Sequence, residues 1–455
     1  MLNELLLAGA RATPDKPVVI SARGETSYAQ CSARAQSFVV GLRARGITRF
    51  GCRVADVSEM IALLGASAAL GVEACMYAGA LGIDEITTIA AHFNHDVLIT
   101  EADDPMAALP GAIVLDTLAG NASGDELDHT PDECPLLTLT TGTTGLPKGA
   151  RNDWRRLVTS HQRRTGYPDA RWLLAHALNQ FAGLSVLTHC LVSGATLVVP
   201  EAFQPRPALA AMRDHAVTHA SATPTFWRFL LGLMAGDTTE APRLRQITLT
   251  GEAVPSALVD DLQRVFPEAR ITQIYGATEF GSGVAVKDAE NGLPVSALER
   301  GDDADVQFKI VDGELHVRSR IGMLGYYGSD DVGDSWRPTG DLVEVRGDRV
   351  FFCGRTTEII NVGGSKVHPL PIEDAIGQVK GVELAHVYGR SNSVTGQIVA
   401  VDVVASPGVD EDELEDAIRD ACASLAPASQ PRRIRFVEEL DIRDTKIARR
   451  NPEAQ

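Results

Sequence analysis

The sequence predicts an α/β protein: a large N-terminal domain of mostly parallel sheets covered by helices, a small β-barrel subdomain, and a small α+β domain at the C-terminal end. Three observations predict it. Over residues 1–130, short apolar runs bounded by polar residues alternate with helical patterns, which is how a parallel sheet covered on both faces reads. Over residues 300–350, short β segments are punctuated by hairpin turns at Gly313, Gly347 and Asp348. The chain has 455 residues, too many for one ordinary core, and so divides into about two to four structural units.

In order, Pro17–Ser21 reads as a strand, and a helix runs from Ala29 to about Arg45. Ser58 to Gly71 is helical, with Ser58 as its N-cap. Val97–Thr100 and Ala112–Leu115 are buried strands. Arg171–Val186 runs from a strand into an apolar helix, followed by the Gly194–Val199 strand. Ala220–Trp227 is a strand-to-helix corner, Leu244–Thr250 a strand, and a helix begins near Pro255. Ile271–Tyr275 is a strand that ends in Gly-Ala-Thr-Glu. Beyond Gly354 come a hairpin, a helix from Pro371, strands at 382–388 and 397–404, an acid-led helix at 410–425 and a last strand at 433–437.

Composition excludes several function classes. The formal net charge of −18 argues against nucleic-acid binding, which needs a basic surface. Seven cysteines, with no pair at Cys-x-x-Cys spacing, point to reduced thiols, a cytoplasmic setting and no structural zinc. The N-terminus lacks the basic region of a signal peptide, and no apolar run is long enough to span a membrane.

The most informative stretch is Leu137–Ala150. A strand ends in Thr140-Thr141-Gly142-Thr143-Thr144-Gly145-Leu-Pro-Lys148-Gly149. Glycines let backbone N–H groups approach an anion, successive N–H groups form a nest, and the hydroxyls and Lys148 add donors and charge. This is chemistry for holding a polyphosphate, but not a Walker loop, since no hydroxyl follows Lys148. The segment closely resembles the phosphate-binding signature of the acyl-adenylate-forming enzymes: acyl- and aryl-CoA synthetases, stand-alone adenylation domains and luciferases.

Further motifs of that family follow in family order. Tyr275-Gly276-Ala-Thr278-Glu279 offers a ring for a purine, a hydroxyl near phosphate and a carboxylate for Mg²⁺. The resemblance implies that Gly251-Glu252-Ala253 abuts the adenine, that Asp341 binds the ribose hydroxyls and that Arg355 binds phosphate or ribose. It also implies a hinge near Thr357, which divides the chain into an adenylate-forming domain at 1–354, with its β-rich part at about 295–354, and a mobile domain at 355–455. Gly364 would line a pantetheine passage and Lys366 would contact phosphate. Lys446, in Thr445-Lys-Ile-Ala-Arg, is the candidate catalytic lysine. His176, Gln180, Phe181, Gly183 and Phe226 are the candidates around the acyl group.

Three positions depart from the family pattern: Gln180 stands where a histidine is usual, Thr357 where Asp or Lys is, and Thr445 where glycine is. The segment also lacks the aspartate that holds an α-amino group, so the expected substrate is a carboxylic acid without an amine. The resemblance implies attack of that acid on ATP, giving an acyl adenylate and pyrophosphate, then transfer to a thiol, CoA or a phosphopantetheine carrier protein. CoA is the favoured acceptor; the alternatives are a stand-alone adenylation enzyme loading a carrier protein or an amine, the latter an amide ligase, and a nucleotide-binding protein without catalysis. A monomer or homodimer is expected.

Overall fold

The computed structural model describes residues 1–455 apart from 125, 141–145, 163–166, 235–240, 289, 444 and 450–455, and apart from the side chains of 162 and 443. An eight-stranded sheet forms one layer. Its strands Pro17–Ser21, Thr196–Val198, Arg171–Leu174, His219–Ala222, Gln246–Thr250 and Arg270–Ala277 run parallel, and its two edge strands, Gly24–Ser27 and Gly281–Val286, are antiparallel. A seven-stranded sheet forms a second layer, with Pro135–Thr140 and Lys148–Asp153 paired antiparallel so that Thr140 lies opposite Lys148.

The helices Leu2–Ala12, Tyr28–Ala44, Val57–Leu70 and Phe181–Val192 supply apolar side chains to a core shared with both sheets, through Phe38, Leu64 and Leu187 on the helices, Leu174 and Leu197 on one sheet and Phe50 and Leu136 on the other. Asp56, not Ser58, caps the Val57–Leu70 helix: its carboxylate accepts from the N–H groups of Ser58 at 2.8 Å and Glu59 at 3.3 Å. The capping carboxylate lies two residues further out than the hydroxyl expected to cap the helix.

The β-rich part is a five-stranded antiparallel sheet in the order Leu293–Pro294, Arg349–Arg355, Arg337–Arg346, Glu314–Ser319, Val306–Val311. Its two outer strands are separate edges among the described residues, so it is an open sheet and not the barrel expected. The second edge of its core is instead supplied by the large sheet, through Phe280 and Val284. The C-terminal part has its own core, of Ile372, Val387, Val401 and Ile418, beneath a second open sheet. No described helix is long and apolar enough to cross a membrane. All seven cysteines are buried and unbonded.

One glycine shows how tightly the strand-to-helix corner at 174–183 is drawn. A Cβ added at Gly183 would stand 2.2 Å from the Ala177 carbonyl oxygen and 2.8 Å from that of His176. Both obstacles are backbone, so the turn itself would have to open. Gly183→Ala is therefore expected to cost about 2–4 kcal/mol, measured by urea unfolding. A loss within about 0.5 kcal/mol of zero would show that the corner yields freely.

Candidate active site

The C-terminal ends of the parallel strands of the large sheet, the β-rich part and the C-terminal tail loop enclose a cleft of about 2350 Å³. Such a position, outside the carboxyl ends of parallel strands, is where α/β sheets collect ligand-binding groups.

Tyr275 reaches the cleft from the end of Arg270–Ala277, its ring packed among Phe280, Phe308 and Phe352 at centroid distances of 5.3, 5.7 and 4.7 Å. Its hydroxyl donates to Asp341 Oδ2 at 2.6 Å, and Arg355 Nε stands 3.2 Å from Oδ1. Arg355 is fixed by a second bond, from Nη2 to the Thr339 carbonyl at 2.9 Å. Burial holds the Asp341 carboxyl above its usual range, against the pull of Arg355, and burial together with Asp341 drives the Tyr275 hydroxyl far up. Tyr275 and the cross-strand pair of Asp341 and Arg355 thus form one acceptor-and-cation group on the cleft wall.

Glu279 and Lys148 meet through a residue that sequence reasoning missed. Tyr326 donates its hydroxyl to Glu279 Oε1 at 2.7 Å, and Lys148 Nζ lies 5.3 Å from the centre of the same ring. Arg337 donates to the Glu279 carbonyl at 3.2 Å. Tyr326 arrives because Gly325–Tyr326 pairs as an edge strand beside Ala150 and Arg151, a contact across some 175 residues that local pattern does not encode. Thr140, Thr278 and Gly276 also line the cleft. Thr141, Gly142, Thr143, Thr144 and Gly145 lie outside the described residues. No cluster of three or more His, Cys, Asp or Glu suited to a metal occurs among the described residues. A single carboxylate, Glu279, beside Lys148 fits Mg²⁺ held mainly by phosphate oxygens and water.

Lys446 enters from the tail hairpin formed by Ile442–Arg443 and Lys446–Ile447. It passes over Gly251: a Cβ there would stand 2.9 Å from Lys446 Cε and 3.1 Å from Nζ, and the φ of +87° suits glycine in any case. Gly251 and Ala253 line the cleft, but the Glu252 carboxylate is already taken up by the protein. Its Oε1 accepts from Ile447 N at 3.0 Å and Thr225 Oγ1 at 3.1 Å, and its Oε2 from Thr225 N at 3.1 Å. The carboxylate thus ties the lysine loop to the start of the helix Pro224–Leu233. Thr223 Oγ1 donates to the Thr445 carbonyl at 2.5 Å beside it. Arg449 closes the same loop on the C-terminal part through two bonds to Glu373, at 3.1 and 2.6 Å. Thr445 has φ +62°, the left-handed conformation its family position usually gives to glycine.

His176, Gln180 and Phe181 line the cleft near Lys446. Burial, then the Lys446 charge, lowers the His176 pKa to about 4, against a hydrogen bond that its ring donates to Gln180. His176 is therefore neutral near pH 7. Phe226 is not a wall of the cleft. With Trp227 and Leu230 it packs into the core on the other face of the sheet, because the first turn of its helix is pinned there by Thr223 Oγ1 accepting from Phe226 N. Gly183 lies beneath the corner and not on the cleft wall. Gly364 and Lys366 sit exposed on the hairpin Ile360–Val362/Ser365–Val367, away from the cleft in this arrangement. Thr357 lines it.

Residues 6–327 match the family model of the AMP-binding enzymes, and residues 371–446 that of the AMP-binding enzyme C-terminal domain. A 2-succinylbenzoate–CoA ligase of Bacillus licheniformis is 25% identical over 463 residues, covering 95% of each chain. Among solved structures, an anthranilate CoA ligase in complex with anthranoyl-AMP superposes with a TM-score of 0.84 at 20% identity, over 98% of this chain and 95% of that one. An o-succinylbenzoate CoA synthetase from Bacillus subtilis in complex with ATP and magnesium ion gives 0.77 at 22% identity, over 98% of each chain.

The neutral state of His176 makes a prediction about stability. Its folded pKa, about 4, lies below the ordinary value of 6.5, so the unfolded chain takes up a proton that the folded chain refuses. Its contribution is complete above pH 6.5 and falls away as the pH drops towards 4, by on the order of 2 kcal/mol at pH 5. Chemical unfolding at a series of pH values should show His176→Gln with a shallower decline between pH 6.5 and 5 than the parent protein. An unchanged slope would contradict the assignment.

Proposed function

Since this chain belongs to the AMP-binding enzymes, we propose that it is an AMP-forming ligase that joins a carboxylic acid to a thiol, CoA in the first place. The observation that carries the reading is convergence: Lys148, Glu279, the Tyr275–Asp341–Arg355 group and Lys446 all border one cleft.

In the first half-reaction a carboxylate oxygen of the acid attacks the α-phosphorus of ATP. The bond from that phosphorus to the bridging oxygen breaks, and pyrophosphate departs with the electron pair. An anion approaching an anion needs compensating positive charge where charge builds up, and preorganised cations supply it at little reorganisation cost. Lys148 serves the departing phosphates, Lys446 the reacting carboxylate and α-phosphate, and Asp341 accepts from the ribose hydroxyls. Mg²⁺, held by Glu279, would neutralise phosphate charge. In the second half-reaction the thiol sulfur attacks the acyl carbon, the thiol gives up its proton, and AMP leaves.

The arrangement with Lys446 in the cleft and the Gly364 hairpin outside it suits the first half-reaction. Rotation of residues 355–455 about Thr357 would exchange the two. An acyl carrier protein in place of CoA is the second acceptor to test, by competition in the thiol-transfer assay.

Lys446→Ala is expected to lower acid-dependent ATP–pyrophosphate exchange by about 10²-fold or more, the usual loss for one electrostatic catalytic group. Thiol transfer from premade adenylate should stay within about twofold of the parent protein. Equal loss of both half-reactions would refute the division of labour, and absence of exchange with every acid of a broad panel would refute the ligase reading.

A further inference from the structure

One polar group on the cleft wall is used neither by the protein nor by the mechanism above. Trp172, on Arg171–Leu174, is 7% exposed and lines the cleft, and its indole nitrogen has no hydrogen-bond partner. Buried donors are nearly always satisfied, because leaving one unpaired costs the water bond it gave up. Trp227 follows that rule by donating to the Thr248 carbonyl. Trp154 also lacks a partner, but it lies inside the core with no cleft beside it.

Two further polar side chains stand on the same face of the sheet as Trp172. Ser221 and Thr248 sit on adjacent strands in register with one another, both buried and both facing the cleft. The His189 ring closes the side at 4.9 Å from the Trp172 ring, edge-on. Methylene groups laid against the indole N–H and the Ser221 hydroxyl would offer neither a partner, whereas the Thr248 hydroxyl already accepts from Gln246 Nε2 at 3.3 Å.

We infer that the acid this site accepts carries an oxygen acceptor on the part remote from its reacting carboxyl, a hydroxyl, ether, carbonyl or second carboxylate oxygen, and that the Trp172 indole N–H donates to it. The inference rests on the ligase reading and narrows it to oxygen-bearing acids, with unsubstituted aliphatic and aryl acids as poor substrates. Trp172 is then a specificity-determining residue.

The test uses the full chain and ATP–pyrophosphate exchange on matched pairs of acids that share a skeleton and differ only in the remote oxygen. Examples are 3-(4-hydroxyphenyl)propanoate with 3-phenylpropanoate, 5-oxohexanoate with hexanoate, and glutarate with pentanoate. The oxygenated member of at least one pair should be preferred by about tenfold to a hundredfold in kcat/KM, the range expected when a buried donor is left unpaired. The three pairs separate phenolic, carbonyl and carboxylate acceptors. Trp172→Phe keeps an aromatic side chain, smaller than the indole, and removes the N–H. It should cut kcat/KM for the favoured acid by about tenfold or more and leave its oxygen-free partner unchanged or improved, which also shows the variant to be folded. Exchange that favours the oxygen-free acids throughout, or a Trp172→Phe loss equal for both members of a pair, overturns the inference while leaving the ligase reading intact. Absence of exchange with every acid overturns both.

Discussion

The position of Lys446 depends on one carboxylate. Glu252 binds Ile447 N and both polar groups of Thr225, so the residue after the lysine is fixed to the first turn of a helix that belongs to the large sheet. A tail hairpin with two-residue strands has little stability of its own. Its place over Gly251 is imposed from outside, by Glu252, by Thr223 and by the Arg449–Glu373 pair on the other flank. Each of these contacts joins the C-terminal part of the chain to the N-terminal part or braces the loop that does so. They are few, polar and part-exposed, unlike a large apolar interface, and so fit the rotation about Thr357 proposed above.

The site also resolves a conflict of charge. A chain with a net charge of −18 has to receive a polyanion and an organic acid together. It does so by committing its nearby carboxylates to partners within the protein. Asp341 is held by Tyr275 and Arg355, Glu252 by Thr225 and Ile447, and one oxygen of Glu279 by Tyr326. Lys148 and Lys446 remain exposed at the cleft. His176, held neutral by burial, places no second cation beside Lys446.

Much of this was legible in the sequence, for identifiable reasons. Strand ends and helix starts along the large sheet carry short-range signals, so the Gly194–Val199 and Leu244–Thr250 strands and the helix after Pro255 fall within two residues or so of where pattern places them. The residues that gather at the cleft come from segments whose local chemistry is distinctive, such as Tyr275 to Glu279. What pattern could not supply was long-range pairing and direction. Tyr326 is silent in sequence because its role comes from an edge pairing with Ala150. Glu252 reads as part of a nucleotide turn until Ile447 is seen beside it. Phe226 turns inward because a capped helix start fixes which face it occupies. The open β-rich sheet reads as a barrel because alternation along a strand does not reveal whether the last strand meets the first.

The central claim is that this cleft grips a nucleotide through Lys148 at one end and the Tyr275–Asp341–Arg355 group at the other. A crystal structure with a non-hydrolysable ATP analogue and magnesium tests it most directly. The account predicts the ribose hydroxyls on Asp341, the triphosphate beside Lys148 and the metal on Glu279. A nucleotide bound elsewhere, or one whose ribose leaves Asp341 paired only with Tyr275 and Arg355, would contradict it.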